Sequence, residues 1–480
     1  MSDAPHIPVL RAGTEYESLD SNEVRAVGGD APLARVSLAN AGLIRRDLRR
    51  IAEKAAPLRD IPMARMLEIC KEAGQLFMSA DLPLNDGGDV QSPDDYVATL
   101  SRTSGLPHAL CRGNMRKVAS VFEQMPTILA GLMRGMDPSI LDVHFGEHSG
   151  IAVCYGPTTD ALGVVLPSNS PGVNSLWMPA IAMKVPVVLK PGREEPWTPT
   201  RVMRAFIAAG CPREAFSYYP TDHEGAAAVL DGCGRSILFG DASVTNAYAS
   251  NPAVQIHGPG RSKVLIGDDA IEGWQDHLDV LAGSVADNGG RSCINASTIF
   301  VPKHADAIAD ALAQRLASIE PRPADDPGAK LSAFANPKMA TFIDGTIEDG
   351  LRNGGAEDVT AKHRKAPRAC SLDGADYLRP TVVRCDSVEH PLARTEFLFP
   401  FVSVVEVPQS EMIAKMGPSL VVTAITKDTG LIDALVRSKL VDRLNLGPMP
   451  TSHAEWDQPH EGNLFEFLHA RRAIQRATAW

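Results

Sequence analysis

The stretch from Gly163 to Pro191, GVVLPSNSPGVNSLWMPAIAMKVPVVLKP, constrains the fold more tightly than any other part of the chain. Gly163 to Leu166 and Pro186 to Leu189 are continuous apolar runs without the alternation of a half-exposed strand. Such runs suit parallel strands covered on both faces. The roughly twenty residues between them are too many for a hairpin and enough for a crossover helix. Asn169, in the polar turn, and Lys190, closing the second run, then fall at the carboxyl ends of neighbouring strands. Open α/β sheets bind their ligands at that edge.

The alternation continues downstream. Thr198-Pro199 predicts a helix start, with Val202, Met203, Phe206 and Ile207 as its apolar stripe and Gly210 as its stop. Phe216 to Tyr219 reads as a third strand. Thr221 with Glu224 has the spacing of a capping box ahead of the Ala-rich run to Leu230. Ser236 to Phe239 and Val254 to His257 complete five strands, and the pattern predicts a doubly wound sheet. Leu33 to Leu38 reads as a strand, Arg45 to Arg50 as a basic helix start, and Pro107 to Met125 as an amphipathic helix. Pro321 to Lys330 and the Gly- and charge-rich Asp344 to Arg368 read as surface loops.

A chain of 480 residues exceeds one ordinary core and predicts two or three domains. Its net charge of -11 gives no support to nucleic-acid or anionic-membrane binding. The apolar runs fall short of the ~20 residues that span a bilayer. Met1-Ser2-Asp3 leads into polar residues without an apolar h-region, so no secretory leader is expected. The eight cysteines are scattered, with no C-x-x-C pair. That argues against the usual zinc spacings and for free thiols in a reducing cytoplasm. Cys293 stands apart. A helical segment, Trp274 to Ala286, runs into Asn288-Gly289-Gly290, and the strand-like Ser297 to Val301 follows. Backbone N–H groups of that turn and the neighbouring Arg291 would lower the thiol pKa and favour a nucleophilic thiolate.

LPSNSP around Asn169, VVLKPGREEPWTP around Lys190, HGPGRSKVLI, GGRSCINASTIFV around Cys293 and ARTEFLFPFVSVVEV around Glu396 follow one another in a recognisable order. Over about residues 140 to 450 this order and spacing resembles the aldehyde dehydrogenase superfamily. The resemblance implies a Rossmann-like NAD(P)-binding domain from residues 1–143 and 162–258 and an α/β catalytic domain at 259–452. A small β oligomerisation flap would come from 144–161 and 464–480. Its strands, Ser149 to Gly156 and His469 to Thr478, would pair between subunits of a homodimer or homotetramer. By the same resemblance Cys293 is the nucleophile and Asn169 an amide donor to the oxyanion. Lys190 would bond the adenosine ribose and Glu396 the nicotinamide ribose, with Leu398 or Phe399 beside it. Pro167, Ser168 and the Gly240-Asp241 turn would complete the cofactor site. The expected substrate is a small aldehyde.

Three departures from the family pattern matter. The segment His257-Gly258-Pro259-Gly260-Arg261 puts His257 where hydrolytic members carry a general-base Glu. His257 could act as the base itself, or Glu461 or His460 in QPHEGNLFEF could supply the function. Equally, loss of that Glu fits the branch that uses coenzyme A as acyl acceptor. Arg193 stands where NAD-preferring members carry an acid, which suits a 2′-phosphate and brings NADP alongside NAD. Asp241 in the pyrophosphate turn is unfavourable beside phosphate unless it turns away. The sequence therefore predicts NAD(P)-dependent oxidation of an aldehyde through a Cys293 thioester. The alternatives are an acyl-CoA-linked enzyme and a non-catalytic scaffold of the same fold.

Overall fold

The computed structural model describes residues 4–29 and 32–475. Residues 476–478 of the expected flap strand, and residues 1–3, lie outside the described residues. Two seven-stranded sheets dominate the molecule. In the first, Leu162–Val165 is central, with Val187–Lys190 parallel on one side and Arg235–Phe239 parallel on the other. Phe216–Tyr218 extends the first flank and Val254–His257 the second. Chain order thus reverses beside the central strand, which makes the crevice at the carboxyl ends of Leu162–Val165 and Arg235–Phe239 a topological switch point. Val9–Arg11 and Thr14–Tyr16 add an antiparallel edge.

The segment after residue 258 builds the second sheet. Ser262–Ile266 lies between Ala296–Val301 and Ser419–Ile425, all parallel, and Phe401–Glu406, Thr381–Cys385 and Val441–Leu446 continue it. A separate three-stranded antiparallel sheet joins Phe145–His148, Ile151–Pro157 and His469–Arg472. Among the described residues no helix is long and apolar enough to cross a membrane.

The elements differ from the sequence expectation where local chemistry intervenes. The crossover is not one helix. It is a 3₁₀ segment, Pro171–Leu176, followed by the short helix Met178–Ala182. Pro171 and Pro179 each lack the N–H that a continuous helix would need, and Asn174 bonds Pro171 O and Trp177 Nε1 instead. The helix ahead of Cys293 likewise splits at His277 into Ile271–His277 and Leu278–Ala286. Thr221 does not cap its helix. Its hydroxyl donates to Ala39 O, and Asp222 is the N-cap, accepting from Gly225 N. Asp344 to Arg368 is not a loop throughout, because its first part belongs to the helix Pro337–Arg352, which buries Ala340, Ile343 and Ile347, and Ala356–Asp358 is a strand. Gly350, read as a loop signal, is there because a Cβ would crowd Leu392 at 2.7 Å.

The largest core cluster sits between the first sheet and the helices His108–Glu123, Met63–Ser79 and Trp197–Ala208, with Phe77, Phe122, Phe206 and Phe216 stacked in series. The turn at Asn288, Gly289 and Gly290 is left-handed throughout, with φ of 53°, 66° and 68°. A Cβ on Gly290 would also collide with the Phe399–Pro400 peptide. Gly290→Ala should therefore cost about 2–4 kcal/mol of stability, from αL strain plus overpacking. A lowered unfolding midpoint in thermal or urea denaturation would register it, and an unchanged midpoint would show that the turn tolerates a side chain.

Candidate active site

His257 ends its strand, and the connection from Gly258 to Arg261 then links the two sheets and runs against the Cys293 loop. Gly260 has no room for a Cβ because the Cys293 carbonyl lies against it, and Ser262 Oγ donates to that same carbonyl at 2.9 Å. Leu420 N donates to Gly260 O at 2.8 Å, which fixes the connection from the other side. On the far flank, Asn295 accepts from Ser292 N and donates to Ser284 O and Asp287 O. Asn114 and Ser170 hold the Asn288 amide at 2.7 and 3.3 Å. The thiol-bearing loop is thus tied to both sheets and to the helix His108–Glu123.

Asn169 Nδ2 donates to Arg291 O at 2.9 Å, so the amide rests on the loop two residues before Cys293. Glu396 reaches the other side and accepts from Arg261 N. Burial pushes the Glu396 carboxyl up to about 7, against the backbone N–H and the nearby Arg261 and Lys263. Burial is also the main influence on Cys293, whose thiol is raised to about 11. The Glu396 charge adds to that rise, while Lys117 and Arg443 oppose it. The expectation of a lowered thiol pKa is therefore corrected. Arg291 turns its guanidinium away to Ala333 O, and the dry surroundings outweigh the turn.

His257 is buried and stacks on Phe239, its partner on the adjacent strand, at 4.7 Å between centroids. Its Nδ1 contacts the Glu461 carboxylate. Gln255, two residues earlier on the same strand face, donates to the Glu461 carbonyl. The carboxylate can only accept, so Nδ1 carries the proton and Nε2 keeps a lone pair. That Nε2 is buried with no partner. Burial pushes the His257 pKa down, to about 3, so the imidazole is neutral at pH 7. His460 is placed differently: its Nδ1 meets Arg443 Nη1 at 2.8 Å.

Lys190 and Arg193 lie at the switch point. A cavity of about 320 Å³ there is lined by Val165, Lys190, Arg193, Leu230, Leu238 and Phe239, among others. The Lys190 ammonium makes no hydrogen bond or ion pair among the described residues, and burial lowers its pKa. A Cβ on Gly192 would strike Ser168 Oγ and Pro167 O, so this turn is packed as closely as backbone allows. Ser168 Oγ accepts from Glu194 N at 3.2 Å. Arg193 is exposed on the rim, which also carries Glu23 and Asp222. Asp241 turns back to Ser243 N and Val244 N and caps the short helical turn Ala242–Thr245. Leu398 is half-buried in the turn after Glu396, and Phe399 is buried against Phe401. The cavity's apolar walls and its unpaired ammonium at a switch point fit a dinucleotide.

The sequence model of the aldehyde dehydrogenase family matches residues 30–417. The chain belongs to the aldehyde dehydrogenase family. An aldehyde dehydrogenase family protein of Staphylococcus haemolyticus, provisionally assigned as an aldehyde dehydrogenase, is 24% identical over 275 residues. That match spans 54% of this chain and 56% of the relative. A Mycobacterium tuberculosis protein, provisionally assigned as an NADP(+) succinate-semialdehyde dehydrogenase, is 25% identical over 279 residues, covering 52% and 49%. The chain therefore spans about half the length of the curated relatives it matches. Two solved aldehyde dehydrogenases share the fold. One is the P. syringae indole-3-acetaldehyde dehydrogenase, solved with NAD+ and IAA (TM-score 0.78, 16% identity, 97% of this chain and 95% of that one). The other is the Pseudomonas aeruginosa enzyme KauB (TM-score 0.79, 15% identity, 98% and 96%).

Sequence reasoning missed Lys117 and Arg443. Leu110, Asn114, Lys117 and Val121 follow helical spacing and form the stripe of His108–Glu123 that faces the Cys293 loop. A lysine there reads as surface, and nothing in the sequence marks it otherwise.

The raised thiol makes a direct prediction. Without cofactor, the rate of Cys293 alkylation should climb about tenfold per pH unit from pH 8 to 10, with no plateau in that range. Glu396→Gln removes a charge that raises the pKa and should shift the profile to lower pH. A plateau already reached near pH 8 in the parent protein would contradict the assigned environment.

Proposed function

We propose that this protein oxidises an aldehyde to its acid with NAD or NADP, through a thioester on Cys293 that water resolves. The observation that supports the reading best is the His257–Glu461 pair, which shares a cavity with Ile294 of the cysteine loop and whose imidazole Nε2 has no partner among the described residues. Proton removal from the thiol gives the thiolate, which adds to the aldehyde carbon and leaves charge on the carbonyl oxygen. Asn169 Nδ2 spends one N–H on Arg291 O and has a second to give that oxygen. A nicotinamide dinucleotide bound at the switch point would supply the hydride acceptor. Lys190 and Glu396 would hold its two riboses, and Arg193 at the rim of the cavity would meet a 2′-phosphate. Loss of hydride leaves the acyl group on Cys293. His257 Nε2 then takes a proton from water, the hydroxide attacks the thioester, and the Cys293 thiolate leaves. Glu461 accepts from Nδ1–H and so steadies the imidazolium formed in that step.

Assembly as a homodimer or homotetramer fits the three-stranded sheet of Phe145–His148, Ile151–Pro157 and His469–Arg472. Ile151 is 58% exposed there, and Phe145–His148 is an edge strand.

The acyl acceptor decides the test. If His257 is the base for water, His257→Ala should give a burst of one NAD(P)H per Cys293 with reactive aldehyde, then turnover slowed about 10²–10⁴-fold. Glu461→Gln should slow the same phase. If His257→Ala keeps most of its rate only when coenzyme A is added, and the parent is slow without it, the acceptor is a thiol. A parent inactive with every aldehyde, either cofactor and coenzyme A would indicate a non-catalytic scaffold.

A further inference from the structure

A second cavity, of about 300 Å³, is lined by Ile294 of the cysteine loop together with His257. Its wall is mostly apolar, from Val121, Ile128, Leu132, Leu176, Pro179 and Trp456. Lys117 and Arg443 interrupt that wall. Both line the cavity together with Ile294, the residue after Cys293, and their charges act on the Cys293 thiol. Among the described residues neither cation has a carboxylate partner. Arg443 gives Nη1 to His460 and Nη2 to Thr451 O, and its Nε is buried without a partner. Lys117 makes no hydrogen bond or ion pair among the described residues. The carboxylates nearby are engaged elsewhere: Glu461 with His257, Glu396 with Arg261 N, and Glu455 with His453. Lys117 and Arg443 are half-buried cations in a largely apolar cavity that Glu455 and Glu461 also line, and without an ion-pair partner among the described residues they carry a desolvation cost that an anion would offset.

From this geometry we infer that the cavity takes an aldehyde bearing a carboxylate at the far end of a short hydrocarbon chain, with the carboxylate held between Lys117 and Arg443. The inference rests on the aldehyde-oxidising reading of Cys293. The apolar wall receives the methylenes, and the cations receive the carboxylate. Arg443 spends one N–H of each terminal nitrogen on His460 and Thr451 O, so its Nε–H, which has no partner among the described residues, is the donor left facing the ligand, and the phosphate arm of the test separates the two anions. One Nε–H and one ammonium match two carboxylate oxygens.

The test compares 5-oxopentanoate with pentanal, which match in chain length and differ in charge, with glyceraldehyde 3-phosphate as the phosphate arm. A charge-assisted contact contributes enough to favour the carboxylate aldehyde about 10- to 100-fold in kcat/KM over pentanal. Lys117→Met and Arg443→Met should each collapse that ratio toward one. Lys117→Arg should largely restore it, which a packing role for the stem alone would not do. Preference for the phosphate arm would overturn the carboxylate assignment, and a parent ratio near one would overturn the inference entirely. A binding readout keeps the two levels separate. Glutarate should protect Cys293 from iodoacetamide where glutaramide does not, and Lys117→Met should abolish the protection. Protection without any aldehyde turnover would support the anion site and count against the oxidising function. Turnover of neutral aldehydes without glutarate protection would do the reverse.

Discussion

The candidate site depends on one close approach, that of Gly260 to the carbonyl of Cys293. Only a residue without a Cβ lets the inter-sheet connection lie against the cysteine loop, and Ser262 and Leu420 then fasten the two together by hydrogen bonds. Because the connection follows His257 and ends at Arg261, it brings an imidazole to one end of the loop. At the other it offers the backbone N–H that holds Glu396. A side chain at position 260 would push these groups apart together. The site therefore belongs to the seam between the sheets, and neither sheet alone contains it.

Dryness governs the chemistry at this seam. It raises the thiol to about 11 and Glu396 to about 7, and it lowers His257 to about 3. All three shifts favour neutral forms, as desolvation must. A neutral imidazole keeps the lone pair that a base needs, although a pKa of about 3 makes it a weak one, and a protonated thiol at neutral pH is a poor nucleophile. The resting site is thus half prepared. Lys117 and Arg443 are the charges that draw the thiol toward ionisation, while Glu396 opposes them.

Much of the first sheet was legible in the sequence, because buried parallel strands are written as unbroken apolar runs such as Val187–Leu189 and Ile237–Phe239. The breaks were less legible. The crossover was read as one helix, whereas Pro171 and Pro179 divide it into a 3₁₀ segment and a short helix. Gly345 and Gly350 suggested a loop, whereas Gly350 marks a helix packed tightly on Leu392. The positions of Asn169, Lys190 and Cys293 at strand ends and turns followed from the same local patterns. The pairing of His257 with Glu461 did not, since 204 residues separate them and no local rule relates them. The sign of the Cys293 shift was misread because Arg291 is a neighbour in sequence but points to Ala333 in space. Lys117 and Arg443 carried no sequence signal, since each stands in an ordinary helix or strand whose inward turn only tertiary packing reveals.

The central claim is that Cys293 carries the acyl group. Intact-protein mass spectrometry after rapid acid quench, with NAD(P) and a reactive aldehyde, tests it most directly. The account predicts an adduct of acyl mass on the parent protein, mapped to the Cys293 peptide, labile to hydroxylamine and absent in Cys293→Ala. Aldehyde turnover with no such adduct, or turnover retained by Cys293→Ala, would contradict it.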